Sequence, residues 1–373
     1  MKMKSLTLMF VIIAISQMCS VAQAQTVKIT PIGQKTGEFC AQDRALLFED
    51  PTGVRILYDP GTTVAGGTDL RLGDVHAILI SHAHGDHVGN ARLNQNPDAN
   101  TSSCTAAATV ASTNTSTAEI AGAKNAAVFA SLITFQSFLN LRISAMTGIT
   151  PTPSCAVQGL TNEITFPRTS SCIVGLGIGS KRKVRLVSAT QGVQISAVLA
   201  IHPDELGPGI LSDSVRAILA PDNLSAYGGL AMGYVVSFTN GLTVYLSGDT
   251  GLTGDMKTIV NAFYQPNLVV FNIGDISETG PEEAAFAITD LIRPTAVIPS
   301  HANEEATGGG IVQPGTRTAR FVELVSPGLS VTDRLDLIRG RKKVSIFVPL
   351  SGITMEFDGD ATCLTGCRGL QPR

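Results

Sequence analysis

The sequence predicts a mixed α/β protein, with two sheets packed face to face and helices outside them. Three observations carry this. Short β-branched runs recur along the chain, separated by Gly, Pro, Asn and Asp turns. Helical stretches appear between strands late in each half, which suits sheets covered by helices. The residues best able to do chemistry fall just after apolar runs, where loops leave a sheet. With 373 residues, 44% of them hydrophobic, the chain can bury a sizeable core as one large domain or two small ones.

Residues 1–24 read as a secretory signal. Lys2 and Lys4 give the positive region, Leu6 to Ile15 the short apolar region, and Ala22-Gln23-Ala24 the small-residue cleavage site. The expected mature chain starts at Gln25 and is periplasmic or secreted, forming one domain over 25–373. Cys19 lies in the signal behind Ser16-Gln17-Met18, a poor lipoprotein box, so no lipid anchor is expected. No later stretch is long and apolar enough to span a bilayer, so no membrane insertion is expected. Of the seven cysteines, the signal removes Cys19 and leaves Cys40, Cys104, Cys155, Cys172, Cys363 and Cys367. An even number in an exported chain favours disulfides, with fifteen pairings open. Cys363 and Cys367 are close enough to close a small C-terminal loop.

Strands are predicted at Val27 to Ile32, Ala45 to Phe48 and Val54 to Tyr58. Asp50-Pro51-Thr52-Gly53 is the turn between the last two. A further strand runs from Val75 to Ile80. From about 91 to 180 the chain turns rich in Ala, Thr, Ser and Asn. This region reads as a large insertion with one helix from about Ala118 to Leu141 and a turn-rich segment between Cys155 and Cys172. The sequence leaves open whether it is a lid, a cap pinned by disulfides or a disordered decoration. Entering between the candidate site residues, it is the expected determinant of substrate. Strands resume at Lys183 to Val187 and Val193 to Ile201. Gly233 to Thr239 and Leu242 to Leu246 follow as a hairpin around Asn240-Gly241. Leu268 to Ile273 and Ala296 to Pro299 are the next strands. Between them Thr279 is the expected cap of a helix with Pro281 at its start and Glu282 and Glu283 in its first turn. A helix near Ala319 to Val325 and terminal strands close the chain.

The net charge is −3, and a nucleic-acid partner would want a basic face. Lys181-Arg182-Lys183 and Arg339-Gly340-Arg341-Lys342-Lys343 are short and read as solvated strand ends. No nucleic-acid partner is expected.

The most informative segment is His82-Ala83-His84-Gly85-Asp86-His87. It holds three of the six histidines and directly follows a buried-type run. Imidazole nitrogen and carboxylate oxygen suit zinc and its first-row neighbours. His202, Asp249 and His301 stand at three later strand ends. The sixth histidine, His76, begins a strand and is not a predicted ligand.

With these residues in hand, the chain resembles the metallo-β-lactamase superfamily, whose αββα sandwich carries a dinuclear site. The H-x-H-x-D-H motif is matched by His82, His84, Asp86 and His87. His202, Asp249 in Ser247-Gly248-Asp249-Thr250-Gly251, and His301 in Ile298-Pro299-Ser300-His301 match the later elements. Ile273-Gly274-Asp275 and Gly280-Pro281-Glu282-Glu283-Ala284 make it most similar to the ascorbate-6-phosphate lactonase-like hydrolases. The resemblance covers Val27 to about Asn90 and Lys183 to about Leu350. It implies that His82, His84 and His202 hold one divalent metal, that Asp86, His87 and His301 hold a second, and that Asp249 bridges them. Zinc is the expected metal, with Mn2+ or Fe2+ as alternatives. Asp59 would orient the histidine loop, and Asp86 would also shuttle a proton. Asp275 would line the pocket or cap its own loop.

The implied activity is an exported hydrolase in which a metal-bridged hydroxide attacks an ester or lactone of a small molecule. The alternatives are a phosphodiesterase or a β-lactam hydrolase of the same fold, the bridging Asp249 speaking against the latter. The non-enzymatic alternative is a secreted metal- or ligand-binding protein.

Overall fold

The computed structural model describes residues 25–93, 104–105, 108–111, 115–131, 133–149, 155–206, 210–326 and 343–367. The expected signal and most of the second basic run lie outside them. Among the described residues, two eight-stranded sheets form the body of the protein, with two small two-stranded sheets beside them. The first runs, edge to edge, through Cys363–Thr365, Met355–Phe357, Val27–Pro31, Leu46–Glu49, Arg55–Tyr58, Ala77–Leu79, Ala127–Ala130 and Cys172–Gly175. The second runs through Ser345–Ile346, Ala296–Ser300, Leu268–Asn272, Thr243–Leu246, Met232–Ser237, Val193–Leu199, Lys181–Leu186 and Glu163–Phe166.

Side-chain alternation explains the layering. Ala77 and Leu79 turn into the core between the sheets, with Phe48, Ile56, Phe129, Ile195, Tyr234, Val244 and Ile298. Ile78 and Ile80 turn the other way, onto Ile120 and Ala121 of the helix Ser116–Lys124 and Leu139 and Ile143 of the helix Ile133–Thr147. On the far side, Val235, Tyr245, Val269, Phe271 and Val297 back onto Val260, Ile288 and Phe321, from the helical segments Met256–Tyr264, Ala287–Ile292 and Arg317–Val325. Strands buried on both faces read as continuous apolar runs. The result is a four-layered αββα sandwich.

The strands beside the site are parallel. Arg55–Tyr58, Ala77–Leu79, Ala127–Ala130 and Cys172–Gly175 run together in one sheet. Thr243–Leu246, Leu268–Asn272 and Ala296–Ser300 run together in the other. Their carboxyl ends therefore share one rim. Two tyrosines cross between the sheets just beneath it. Tyr234 Oη donates to Ile80 O at 2.7 Å and Phe129 O at 3.2 Å. Tyr58 Oη accepts from Gly248 N at 3.0 Å.

Three expectations are corrected. The helix expected from Ala118 to Leu141 is two helices with the strand Ala127–Ala130 between them. Asn125 ends the first in the left-handed region, φ 52°, a conformation Asn tolerates. Thr279 does not cap the helix that begins at Pro281. Gly280 holds the cap position, and Thr279 Oγ1 donates to Asn272 O at 3.0 Å. The region at about 91–180 is also more than an insertion. It supplies two strands to the first sheet, one to the second, and both helices over the first sheet. Small Ala and Ser side chains here pack closely instead of marking a loop.

The cysteines pair as Cys40–Cys104, Cys155–Cys172 and Cys363–Cys367. Among the described residues, no helix is long and apolar enough to cross a membrane.

Candidate metal centre

All seven candidate residues lie on the shared rim, contributed by both sheets. The strand Ala77–Leu79 leads through Ser81 to His82 and His84. One helical turn, Gly85–Val88, then carries Asp86 and His87. His202 follows Val193–Leu199, Asp249 follows Thr243–Leu246, and His301 follows Ala296–Ser300.

Asp249 Oδ2 is the centre of the arrangement. It lies 3.0 Å from His87 Nε2, 3.1 Å from His301 Nε2, and 3.8 Å from both His82 Nε2 and His202 Nε2. His84 Nδ1 stands 3.2 Å from His202 Nε2. Asp86 Oδ2 is 3.3 Å from His301 Nε2 and 3.7 Å from His87 Nε2. Four overlapping groups could hold a cation: His82 with His84 and His202, His82 with His87 and Asp249, Asp86 with His87 and His301, and Asp249 with Glu278 and His301. The first and third share no residue, and Asp249 is close enough to serve both. The donors in each group lie within 4.8 Å of one another.

Backbone strain and close contacts fix this geometry. Asp59 and His301 adopt φ of 38° and 53°, values costly for residues with a Cβ. Gly248 has φ 62°, and a Cβ there would meet Met232 O and Ser81 Cβ at 2.9 Å each. Only glycine lets this turn pass so close to the first sheet while Asp249 points into the rim.

A second ring of groups holds the imidazoles. Asp59 accepts from Ser81 N at 2.8 Å and Ser81 Oγ at 2.7 Å, and its Oδ2 is 2.9 Å from His87 Nδ1. That contact leaves His87 Nε2 facing the centre. The orienting contact expected of Asp59 is therefore present. His202 Nδ1 is 3.0 Å from Ser277 O, so its Nε2 also faces inward. His301 Nδ1 is 2.8 Å from Glu278 Oε1, and the Glu278 side chain is 1% exposed. Sequence reading missed Glu278, because it stands in the loop after a strand with no ligand spacing to mark it. Asp275, which was noticed, is exposed and stands in none of the candidate ligand groups. Arg44 was also missed. Its Nη2 donates to Asn303 Oδ1 at 2.7 Å and lies 3.4 Å from Asp86 Oδ2. His76 is structural, its Nδ1 accepting from Arg55 N at 2.9 Å.

The charges are strongly coupled. Burial pushes His82 well below its ordinary value, and the neighbouring His87 adds to this. Burial works against the charge of His87 too, but Asp249, Asp86 and Asp59 outweigh it and hold His87 well up. His301, likewise buried, is held up at about 10, chiefly by Asp249. Asp249 is held well down, His301 and His87 overcoming its burial. Protons on His87 and His301 thus satisfy carboxylates that a cation would satisfy. His82 Nε2 is buried with no hydrogen-bond partner. A buried imidazole nitrogen aimed at a carboxylate cluster is costly unless something binds it, and a divalent cation fits this donor set.

The metallo-β-lactamase superfamily model matches residues 44–100, which include the histidine cluster. A metal-dependent hydrolase of Cupriavidus taiwanensis is 35% identical over 145 residues, 38% of this chain and 48% of that protein. The chain thus spans about half the length of that relative. A metal-dependent hydrolase of Polynucleobacter asymbioticus is 27% identical over 265 residues, covering 69% of this chain and 70% of that one. Among solved structures, a metallo hydrolase of Ignicoccus hospitalis aligns over 89% of this chain and 100% of its own, with 21% identity and a TM-score of 0.48. The chain is thus similar to the metallo-β-lactamase superfamily over residues 44–100 and to metal-dependent hydrolases over longer stretches.

Proposed function

We propose that the protein is a dinuclear metal-dependent hydrolase. In this reading His82, His84 and His202 would hold one divalent ion, Asp86, His87 and His301 would hold the other, and Asp249 would serve both. The observation that carries it is the convergence of four imidazole Nε2 atoms on Asp249 Oδ2, all within 3.8 Å. The names of the relatives, metal-dependent hydrolases, agree with it. Zinc is the metal this imidazole-rich set favours.

Bound together, two such ions supply Lewis acidity and an ionised water at neutral pH. The protein's own groups do the rest. Asp59 and the Ser277 carbonyl fix the ring orientations of His87 and His202, so the donor atoms need no rearrangement. Asp86, with 35% of its side chain exposed, is the carboxylate best placed to exchange a proton with a leaving group. Arg44 steadies it from behind. An Asp86→Asn protein that keeps both metals and full turnover refutes that role.

The substrate proposed is a small-molecule ester or lactone, on the likeness of Ile273-Gly274-Asp275 and Gly280-Pro281-Glu282-Glu283-Ala284 to the lactonase-like hydrolases. Export is proposed from the N-terminal sequence, and three disulfides suit an oxidising compartment. The test is metal analysis of the pure mature protein, followed by an ester, lactone, phosphodiester and β-lactam panel. Two equivalents of metal and turnover of an ester or lactone are expected. A folded sample that takes up no transition metal overturns the proposal. Turnover confined to a phosphodiester or nitrocefin overturns its substrate.

A further inference from the structure

The two cation subsites are built differently, with Asp86, Asp59 and Glu278 all standing on one side. Resting on the dinuclear reading above, we infer that Glu278, acting through His301, makes the Asp86–His87–His301 subsite the tighter of the two.

Both imidazoles of that subsite are backed by buried carboxylates, His87 by Asp59 at 2.9 Å and His301 by Glu278 at 2.8 Å. Asp59 is hydrogen-bonded to His87 Nδ1 and so fixes that ring, while the Glu278 carboxylate acts on His301 as a close, buried negative charge that makes the near nitrogen a stronger donor. Glu278 is itself held. Asn272 Nδ2 donates to its Oε2 at 3.1 Å, and Asn303 Nδ2 to its Oε1 at 3.4 Å. Arg44 holds Asn303 in turn. The subsite also contains Asp86 as a charged ligand. Arg44 cancels only part of this negative charge, from 3.4 Å.

The other subsite has three imidazoles and no carboxylate of its own. His202 is backed by a neutral carbonyl, Ser277 O. His82 Nδ1 is 3.1 Å from the Ser81 hydroxyl. Asp249 is shared, but its Oδ2 lies nearer His87 and His301, at 3.0 and 3.1 Å, than His82 and His202, at 3.8 Å each, so it leans the same way. A divalent cation is drawn to the side with more fixed negative charge and better-oriented donors.

The experiment is a titration of chelator-treated full-length mature protein with Co2+ and with Zn2+, followed by calorimetry and by the cobalt absorption bands. Wild type is expected to load in two unequal steps. Glu278→Gln keeps the side-chain shape and is expected to weaken the tighter step by ~10- to 100-fold, with the looser step unchanged. His84→Ala, in the partly exposed part of the cluster, is expected to abolish the looser step alone. Circular dichroism checks that each variant folds. Two equal steps in wild type, an unchanged tight step in Glu278→Gln, or loss of the tight step in His84→Ala overturns the inference while leaving the dinuclear reading intact. No uptake by folded wild type overturns both.

Discussion

Replacing Asp59 with Asn separates positioning from mere stability. Asn tolerates the left-handed backbone, φ 38°, so strain is not the variable. Asp59 makes three contacts, to Ser81 N, Ser81 Oγ and His87 Nδ1, at 2.8, 2.7 and 2.9 Å. The first survives, because the amide oxygen still accepts from Ser81 N. The other two change, since an NH2 group now faces a hydroxyl and an imidazole N–H. Each bond to an ionised partner contributes about 1.5–3 kcal/mol, against about 0.5–1.5 for a neutral one. Weakening two of them should cost the metal-free protein about 2–3 kcal/mol on that basis. His87 can restore a partner for the amide by giving up its Nδ1 proton and keeping the one on Nε2, which points at the cation subsite. Metal affinity there should fall by ~10- to 100-fold. Urea unfolding of the metal-free protein gives the first number, and competition with a chelator gives the second. A protein destabilised by this amount that still binds metal as tightly as wild type would refute the reasoning, for it would mean that His87 is oriented without Asp59.

Further expectations concern the frame around the site. Asp69 is mostly buried, and its charge is preserved against that burial by Arg71, 2.7 Å away, so it is held below its ordinary value. The stability it adds should be complete above about pH 4 and lost as pH falls below that. Asp69→Asn should flatten this part of the acid-unfolding curve, and an unaltered curve would count against it. Gly248→Ala should destabilise by about 1–3 kcal/mol through its clash and backbone strain. It should also lower metal stoichiometry by shifting Asp249, whereas a stable, fully loaded variant would contradict the geometry. Deleting residues 100–170 removes the strands Ala127–Ala130 and Glu163–Phe166 and should give insoluble protein on expression. A soluble product that still binds metal would show the region to be dispensable after all.

The site's polar residues were legible because each follows a recognisable strand. The cluster His82 to His87, and the pairs Gly248-Asp249 and Ser300-His301, stand out against apolar runs that strand geometry demands. Asp59 could be read for the same reason. Glu278 and Arg44 could not, since their partners His301, Asn303 and Asp86 are distant in sequence and only the fold brings them together. The strand Ala127–Ala130 was hidden by its composition, since Ala-rich segments carry little β signal by themselves, and here tertiary packing under two helices decides the conformation. Cys172–Gly175, with Ile173 and Val174, was hidden by its place at the end of a turn-rich segment. The missed cap at Thr279 is a similar case, its hydroxyl being drawn to a strand carbonyl by the close passage of the loop.

The crossed tyrosines have a bearing on how the protein tolerates change. Tyr234 reaches from one wall to the carbonyls of Ile80 and Phe129, while Tyr58 reaches back to the amide of Gly248. Acting as opposed dowels, they resist sliding of one wall along the other just behind the residues that must meet. The body of the protein thereby helps set the spacing at the mouth. Loops at the rim that carry none of the ligands or their supports should therefore tolerate exchange so long as both dowels stay seated.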